Sequence, residues 1–294
     1  MSRLTEARNP HTMNLDQMSS LEIVRAMNHE DLRAMQAVSD ALEGIAGAVD
    51  RIAARMARGG RLIYVGAGTA GRLGVLDAAE CPPTFGVPPA QVVALLAGGE
   101  SAVTGAVEGA EDDREAGRRA LQEAGVSALD AVVGIAASGS TPFTVAAVEE
   151  ARARGAFTVG LANNHPSPLT EAAEWPIAVV AGAEVLTGST RLKAGTVQKV
   201  VLNMLSTAVM ARLGHVYGNL MVGVQPTNAK LRERAIRLLQ EATGADAATA
   251  RAWLEAAGWH VKTALVMGLA GVSADEARAR LEAAGGHARR AIGR

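Results

Sequence analysis

Five short apolar runs constrain this chain most: 61–65 (RLIYV), 92–96 (VVALL), 131–136 (AVVGIA), 157–161 (FTVGL) and 176–180 (PIAVV). Each is apolar throughout rather than on alternate residues, as expected of strands buried on both faces. Helical patterns over 69–79, 112–124 and 142–154 lie between them. Strands alternating with helices predict an α/β fold, a parallel sheet covered on both sides, with right-handed crossovers.

The flanks read as helical. Residues 1–18 show no pattern. Ser19 and Ser20 suit a cap for a helix over 21–27, with Glu22 in its first turn, and a longer helix spans 31–58 before Gly59-Gly60 stops it. After Ser189 the pattern is helical to about residue 213. From Thr227 it continues in short pieces broken at Gly244, Gly258, Gly271 and Gly285. The expected division is an N-terminal helical segment (1–53), a sheet domain (54–223) and a small helical domain (224–294).

Composition excludes several classes. With 49% hydrophobic and 20% charged residues in 294, the chain fills a core and is not disordered. A net charge of −1 and only eight aromatic residues (two Tyr, three Phe, three Trp) argue against a nucleic-acid or acidic-membrane surface. The single cysteine, Cys81, rules out an internal disulfide and reads as a packing residue. The polar N-terminus lacks a signal-peptide core, and no uncharged run is long enough to span a membrane, so a reducing cytoplasm is the expected home. The six histidines are dispersed, so no metal is expected, and neither a P-loop nor a G-x-S-x-G elbow is present.

Two loops carry anion-binding chemistry. Gly66-Ala67-Gly68-Thr69-Ala70-Gly71 follows the first strand and opens a helix. Ser138-Gly139-Ser140-Thr141-Pro142 does the same after the third. Small residues let backbone N–H groups approach an anion, the helix N-terminus adds positive potential, and the hydroxyls can donate. The first loop also fits G-x-G-x-x-G, but the acid a dinucleotide needs, Glu100, is poorly placed, and the hydroxyl loop has no task there. A compact sugar phosphate fits two such loops better.

Two carboxylates are candidates for proton transfer. Glu80 follows the first loop's helix, where Pro82 and Pro83 are expected to end it and stiffen the turn. Glu111 lies in an acidic run, 108–115 (EGAEDDRE), which reads equally as a solvated face or a helix start, and the run does not single out one acid. A third segment, 182–196 (GAEVLTGSTRLKAGT), opens the long helix with hydroxyls and two cations.

These strings resemble the N-acetylmuramic acid 6-phosphate etherases, of the sugar isomerase (SIS) group. The resemblance runs nearly end to end, through 61–69 (RLIYVGAGT), 71–74 (GRLG), 80–84 (ECPPT), 108–112 (EGAED), 134–139 (GIAASG), 187–196 (TGSTRLKAGT) and 203–207 (NMLST). It implies a three-layer parallel-sheet SIS sandwich with a UBA-like helical domain behind it. It also implies a carbon–oxygen lyase that uses no cofactor and acts on N-acetylmuramate 6-phosphate in amino-sugar and cell-wall muramate catabolism and recycling. Water cleaves the C3 lactyl ether, giving N-acetylglucosamine 6-phosphate and D-lactate by elimination and then hydration. By resemblance Glu80 is the acid for lactate departure and Glu111 the second acid/base residue, one entering neutral and the other ionised. Substrate-binding positions are Gly68, Thr69, Ala70, Gly71, Arg72, Ser138, Gly139, Ser140, Thr141, Glu184, Ser189 and Lys193. The implied assembly is a homodimer with sites near the subunit interface, with no nucleic-acid or membrane partner. Ala70 and Ser140 depart from the family, which often has Ser and Arg there, and a lost hydrogen bond to a charged group is worth about 1.5–3 kcal/mol. A non-catalytic SIS sugar-phosphate regulator and an aldose–ketose isomerase are the competing readings.

Overall fold

A computed structural model describes residues 4–293; the first three residues of the irregular N-terminal stretch lie outside the described residues. The five runs form strands β1 (Leu62–Gly66), β2 (Val92–Leu96), β3 (Ala131–Ala136), β4 (Phe157–Ala162) and β5 (Trp175–Ala178). They make one parallel sheet in the order β2-β1-β3-β4-β5. Leu62 pairs with both Val92 and Ala131, so β1 lies between two neighbours in register. β1, β3 and β4 are buried along their whole length, which explains their unbroken apolar sequence. Pro176 sits on edge strand β5, where its missing N–H costs no ladder bond.

The helices before and between the strands are α1 (Ser20–Asp40), α2 (Leu42–Met56), α3 (Gly68–Phe85), α4 (Ser101–Thr104), α5 (Arg114–Glu123), α6 (Pro142–Ala153) and α7 (Pro168–Ala172). After the sheet come α8 (Lys193–Arg212), α9 (Ala229–Thr243), α10 (Ala247–Ala256), α11 (Val261–Ala270), α12 (Ala274–Ala283) and α13 (Ala288–Ala291). Ser19 and Glu22 form a reciprocal capping box at the start of α1. The two helices expected over 21–27 and 31–58 are divided differently. No breaker lies at residues 28–30, so α1 continues to Asp40. The interruption falls at Ala41, just after Ser39 turns its hydroxyl back onto the Met35 carbonyl.

A second correction concerns Pro82 and Pro83, which lie inside α3 rather than ending it. They remove the donors for the Ala78 and Ala79 carbonyls, yet the helix runs on to Phe85 and stops at Gly86 (φ 69°).

Contacts divide the chain into two compact units. One comprises the described residues up to Ala79 together with Ala90–Ser206. The other comprises Glu80–Pro89 and the described residues from Thr207. The second unit therefore begins earlier than residue 224. Its core unites Val222 and Val224 with Ile236, Leu239, Leu254, Leu265 and Leu281, and Tyr217 and Leu220 pack against that core. In the first unit, Ile63, Val65, Leu121, Val132, Phe143, Val148 and Leu169 fill the layer between the sheet and α5, α6 and α7.

The tightest point of the first unit is the β1–α3 turn. A Cβ on Gly66 would meet the Gly71 nitrogen at 2.9 Å, and one on Gly71 would lie 2.6 Å from the Gly66 carbonyl oxygen. Strand end and helix start thus pack backbone to backbone. Gly71→Ala is expected to lower stability by about 1–3 kcal/mol in urea denaturation, since backbone must move to admit the methyl. A midpoint equal to wild type would contradict this packing.

Candidate active site

The sheet order creates a crevice. From β1 the chain crosses to β2 on one side and then returns to β3 on the other. The loops after β1 and β3 therefore diverge, and such a switch point at the carboxyl ends of the strands is where open α/β sheets bind ligands. A cavity of about 570 Å³ lies there. Ala67, Gly68, Thr69 and Ala70 of the first loop line it, as do Ala136, Ala137, Ser138, Ser140, Thr141 and Pro142 of the second. Glu6, Glu111, Asp112, Thr190 and Gln198 complete the wall.

Both loops present helix N-termini. Gly68 opens α3 with φ 53°, and the next bonded amide is Gly71 N–H, which donates to the Ala67 carbonyl at 3.2 Å. The first amides of the helix have no intrahelical acceptor and suit an anion. In the second loop the Ser138 hydroxyl accepts from the Ser140 N–H (3.2 Å) and the Ser140 hydroxyl (3.1 Å). The Ser140 hydroxyl proton is thereby used within the loop, and the Ser138 proton is left for a ligand. Gly139 (φ 68°) shapes this loop: its carbonyl accepts the Leu169 N–H at 2.8 Å, and Ser167 occupies the place of any Cβ.

The acidic run divides its tasks. Asp113 caps α5 by accepting the Ala116 N–H at 2.8 Å. Glu115 pairs with Arg118. Glu111 and Asp112 are left to line the cavity. The Glu111 carbonyl accepts the Phe143 N–H at 3.0 Å, which ties this segment to the first turn of α6. Glu80 stands exposed on α3, in the short stretch that belongs to the second unit.

The segment before α8 is tied into the fold by charged groups. Both Glu184 carboxylate oxygens accept amides, from Lys193 and Ala194, each at 2.9 Å, and cap the helix. Burial pushes the Glu184 carboxyl up, against those bonds. The Lys193 ammonium is 2.6 Å from Glu30, whose other oxygen takes Arg33 at 3.0 Å. Burial works to raise the Glu30 carboxyl, but the Lys193 hydrogen bond and charge outweigh it and hold it low. The Arg72 guanidinium donates to the Ala102 (2.9 Å) and Gly105 (2.5 Å) carbonyls and fixes the turn around α4. Gly71, Arg72, Gly139, Glu184, Ser189 and Lys193 are thus not on the cavity wall, whereas Gly68, Thr69, Ala70, Ser138, Ser140, Thr141 and Glu111 are.

Sequence reasoning missed Gln198. The Val179 carbonyl can only accept, so it orients the Asn163 amide (2.8 Å). Asn163 Oδ1 then takes Gln198 Nε2 (2.9 Å), and this leaves Gln198 Oε1 as an acceptor with no donor among the described residues. A glutamine one turn into a helix gives no sequence signal, because its partners come from two other segments. Glu6 was not singled out either, and Asp112 and Thr190 lay in the acidic run and the 182–196 segment, where no sequence signal sets them apart from their neighbours.

Comparison with known proteins fits this geometry. Residues 44–152 match the N-terminal SIS domain of glucokinase regulatory protein, 115–208 match the SIS domain, and 233–267 match a UBA-like domain. An N-acetylmuramic acid 6-phosphate etherase from Halalkalibacterium halodurans is 55% identical over 262 residues, covering 89% of this chain and 88% of that one. One from Streptomyces coelicolor is 56% identical over 266 residues, covering 90% and 86%. The chain belongs to the N-acetylmuramic acid 6-phosphate etherase family. The SIS fold of this etherase-family chain also appears in a phosphosugar isomerase structure from Bacteroides fragilis. That structure has a TM-score of 0.51 and 23% identity, covering 67% of this chain and 94% of that one.

Glu30→Gln is expected to cost about 3–5 kcal/mol in urea denaturation, because it strands the buried Lys193 ammonium. The Glu30 contribution is present above the ordinary carboxylate range and is lost as pH falls through its lowered folded value. Loss of less than about 1 kcal/mol would show the pair to be dispensable.

Proposed function

We propose that this protein is an N-acetylmuramic acid 6-phosphate etherase. It cleaves the C3 lactyl ether with water and releases N-acetylglucosamine 6-phosphate and D-lactate, in muramate catabolism and cell-wall recycling. The observation that carries this reading is identity above 50% to etherases along nine-tenths of the chain, joined to a polar cavity at the switch point. The phosphate sits at the N-termini of α3 and α6, held by amides of Gly68, Thr69 and Ala70 and the hydroxyls of Ser138 and Thr141. Ala70 offers only its amide.

The chemistry follows from the open-chain sugar. The C1 aldehyde acidifies the C2 proton. A carboxylate removes it, the C3–O bond breaks, and a carboxylic acid protonates the departing lactate oxygen. Water then adds to C3 of the unsaturated aldehyde. Glu80 serves as the acid and Glu111 as the second acid/base residue, as the family likeness of 80–84 and 108–112 suggests. The wall position of Glu111 supports its part. Gln198 Oε1 suits a sugar hydroxyl or the acetamido N–H. The scheme needs no metal or organic cofactor.

The working assembly is a homodimer. Leu21, Val24, Leu32 and Met35 are exposed along α1 at helical spacing, an apolar stripe suited to a second copy. The cytoplasm is the place of action, consistent with a phosphorylated substrate. Among the described residues no helix is long and apolar enough to cross a membrane.

Glu80→Gln and Glu111→Gln are each expected to cut kcat by about 10²–10⁴ while the fold is kept. Lactate release by coupled assay and far-UV circular dichroism check this. Either variant retaining most of its turnover would remove that residue from the scheme. Tight binding of the phosphosugar by wild type with no lactate formed would favour the regulator reading instead.

A further inference from the structure

The second compact unit contains a cavity of its own, of about 390 Å³, within the ~300–1,000 Å³ common for ligand pockets. Lys262 lines it and is only 8% exposed. Among the described residues its ammonium has one acceptor, the Gly286 carbonyl at 3.2 Å. The other near group is His215 Nδ1 at 3.5 Å, but that nitrogen is 2.9 Å from the Phe85 carbonyl. A carbonyl only accepts, so Nδ1 must carry the proton and cannot accept from Lys262. Among the described residues the ammonium therefore keeps N–H groups without an acceptor, and an unpaired buried charge of this kind is costly.

Its surroundings are uniformly positive or neutral. His260 caps α11, its Nδ1 accepting from the Thr263 N–H (3.4 Å) and lying 2.6 Å from the Thr263 hydroxyl. The proton of the neutral ring is thereby placed on Nε2, a donor. The charges acting on His215, His260 and His287 are those of Lys262, Arg278, Arg290 and His287, and every one of them is basic. Arg278 is itself paired with Asp275. Trp259, just before α11, holds φ 62°, a strained conformation for a bulky residue and one found at ligand sites.

We propose that this cavity binds a small organic carboxylate between the Lys262 ammonium and the His260 imidazole at the N-terminus of α11. A single ammonium balances a monoanion, and the remaining wall, with Phe85, Val222, Pro226 and Trp259, suits an apolar body. A phosphate dianion would bury a second charge with no fixed cation to meet it. Burial lowers the Lys262 ammonium from its ordinary value, and burial and the neighbouring cations lower both histidines, His215 to about 4. Binding accordingly weakens as pH rises through the lowered value of Lys262.

The chain has four lysines, Lys193, Lys199, Lys230 and Lys262, so their side-chain NMR signals are separable. The test titrates sodium butanoate into the full-length protein with ¹³C-labelled lysine, beside calorimetry. The expected result is a saturable shift of the Lys262 signal and a fall in affinity of roughly ten- to a hundredfold in Lys262→Met. Lys262→Arg retains most of the binding, and the wild-type affinity declines as pH rises through the lowered value of Lys262. An unmoved Lys262 signal at saturating butanoate would overturn the proposal, and it can be read on wild type even if the methionine variant fails to fold. Equal affinity in Lys262→Met, or inorganic phosphate displacing butanoate from Lys262, would overturn it too.

Discussion

The backbone contact between the end of β1 and the first turn of α3 governs what this sheet can do. Gly66 and Gly71 approach until neither can carry a side chain, and that closeness sets the free amides of Gly68, Thr69 and Ala70 at the cavity floor. A larger residue at either place would lift the helix start from the strand and disperse the amide cluster. The G-x-G-x-x-G spacing is thus a packing requirement first. It serves a dinucleotide or a phosphosugar according to what the neighbouring strand supplies. Here β3 supplies Ser138, Ser140 and Thr141 rather than a second nucleotide subsite.

Around that point the structure spends its charged groups on holding α8 in place. Glu184 caps its first turn, and Lys193 is anchored by Glu30 from α1. Asp77 adds a third anchor, accepting from Tyr64 (2.8 Å), Asn203 (2.7 Å) and Ser206 (3.1 Å), with burial raising its carboxyl. Glu184 and Lys193 thus help frame the stretch that presents Thr190 and Gln198 to the cavity. Such buried, fully bonded groups fix a unique geometry more than they add stability.

The sheet was legible in the sequence because burial on both faces forces continuous apolar runs, and the edges of β2 and β3 match the runs residue for residue. The loops were legible because small and hydroxyl residues cluster where strand meets helix. Two things were not. Pro82 and Pro83 signal a helix end locally, but α3 carries them, and local propensity yields to tertiary packing. The functions of Arg72, Lys193 and Gln198 depend on partners 30 or more residues away in the chain, at the Ala102 carbonyl, Glu30 and Asn163. The acidic run 108–115 lay between the two cases, since capping and ion pairing claim Asp113 and Glu115 and leave Glu111 and Asp112 at the wall.

In the proposed elimination and hydration the fates of two oxygens are fixed. The ether oxygen leaves with lactate, and the new C3 hydroxyl comes from water. Turnover of N-acetylmuramate 6-phosphate in ¹⁸O-labelled water, read by mass spectrometry, tests this most directly. The account predicts label at C3 of N-acetylglucosamine 6-phosphate, beyond the solvent exchange of the C1 oxygen that unreacted sugar also shows, with D-lactate acquiring none at its hydroxyl. Label in the lactate hydroxyl, or no lactate at all, would contradict it.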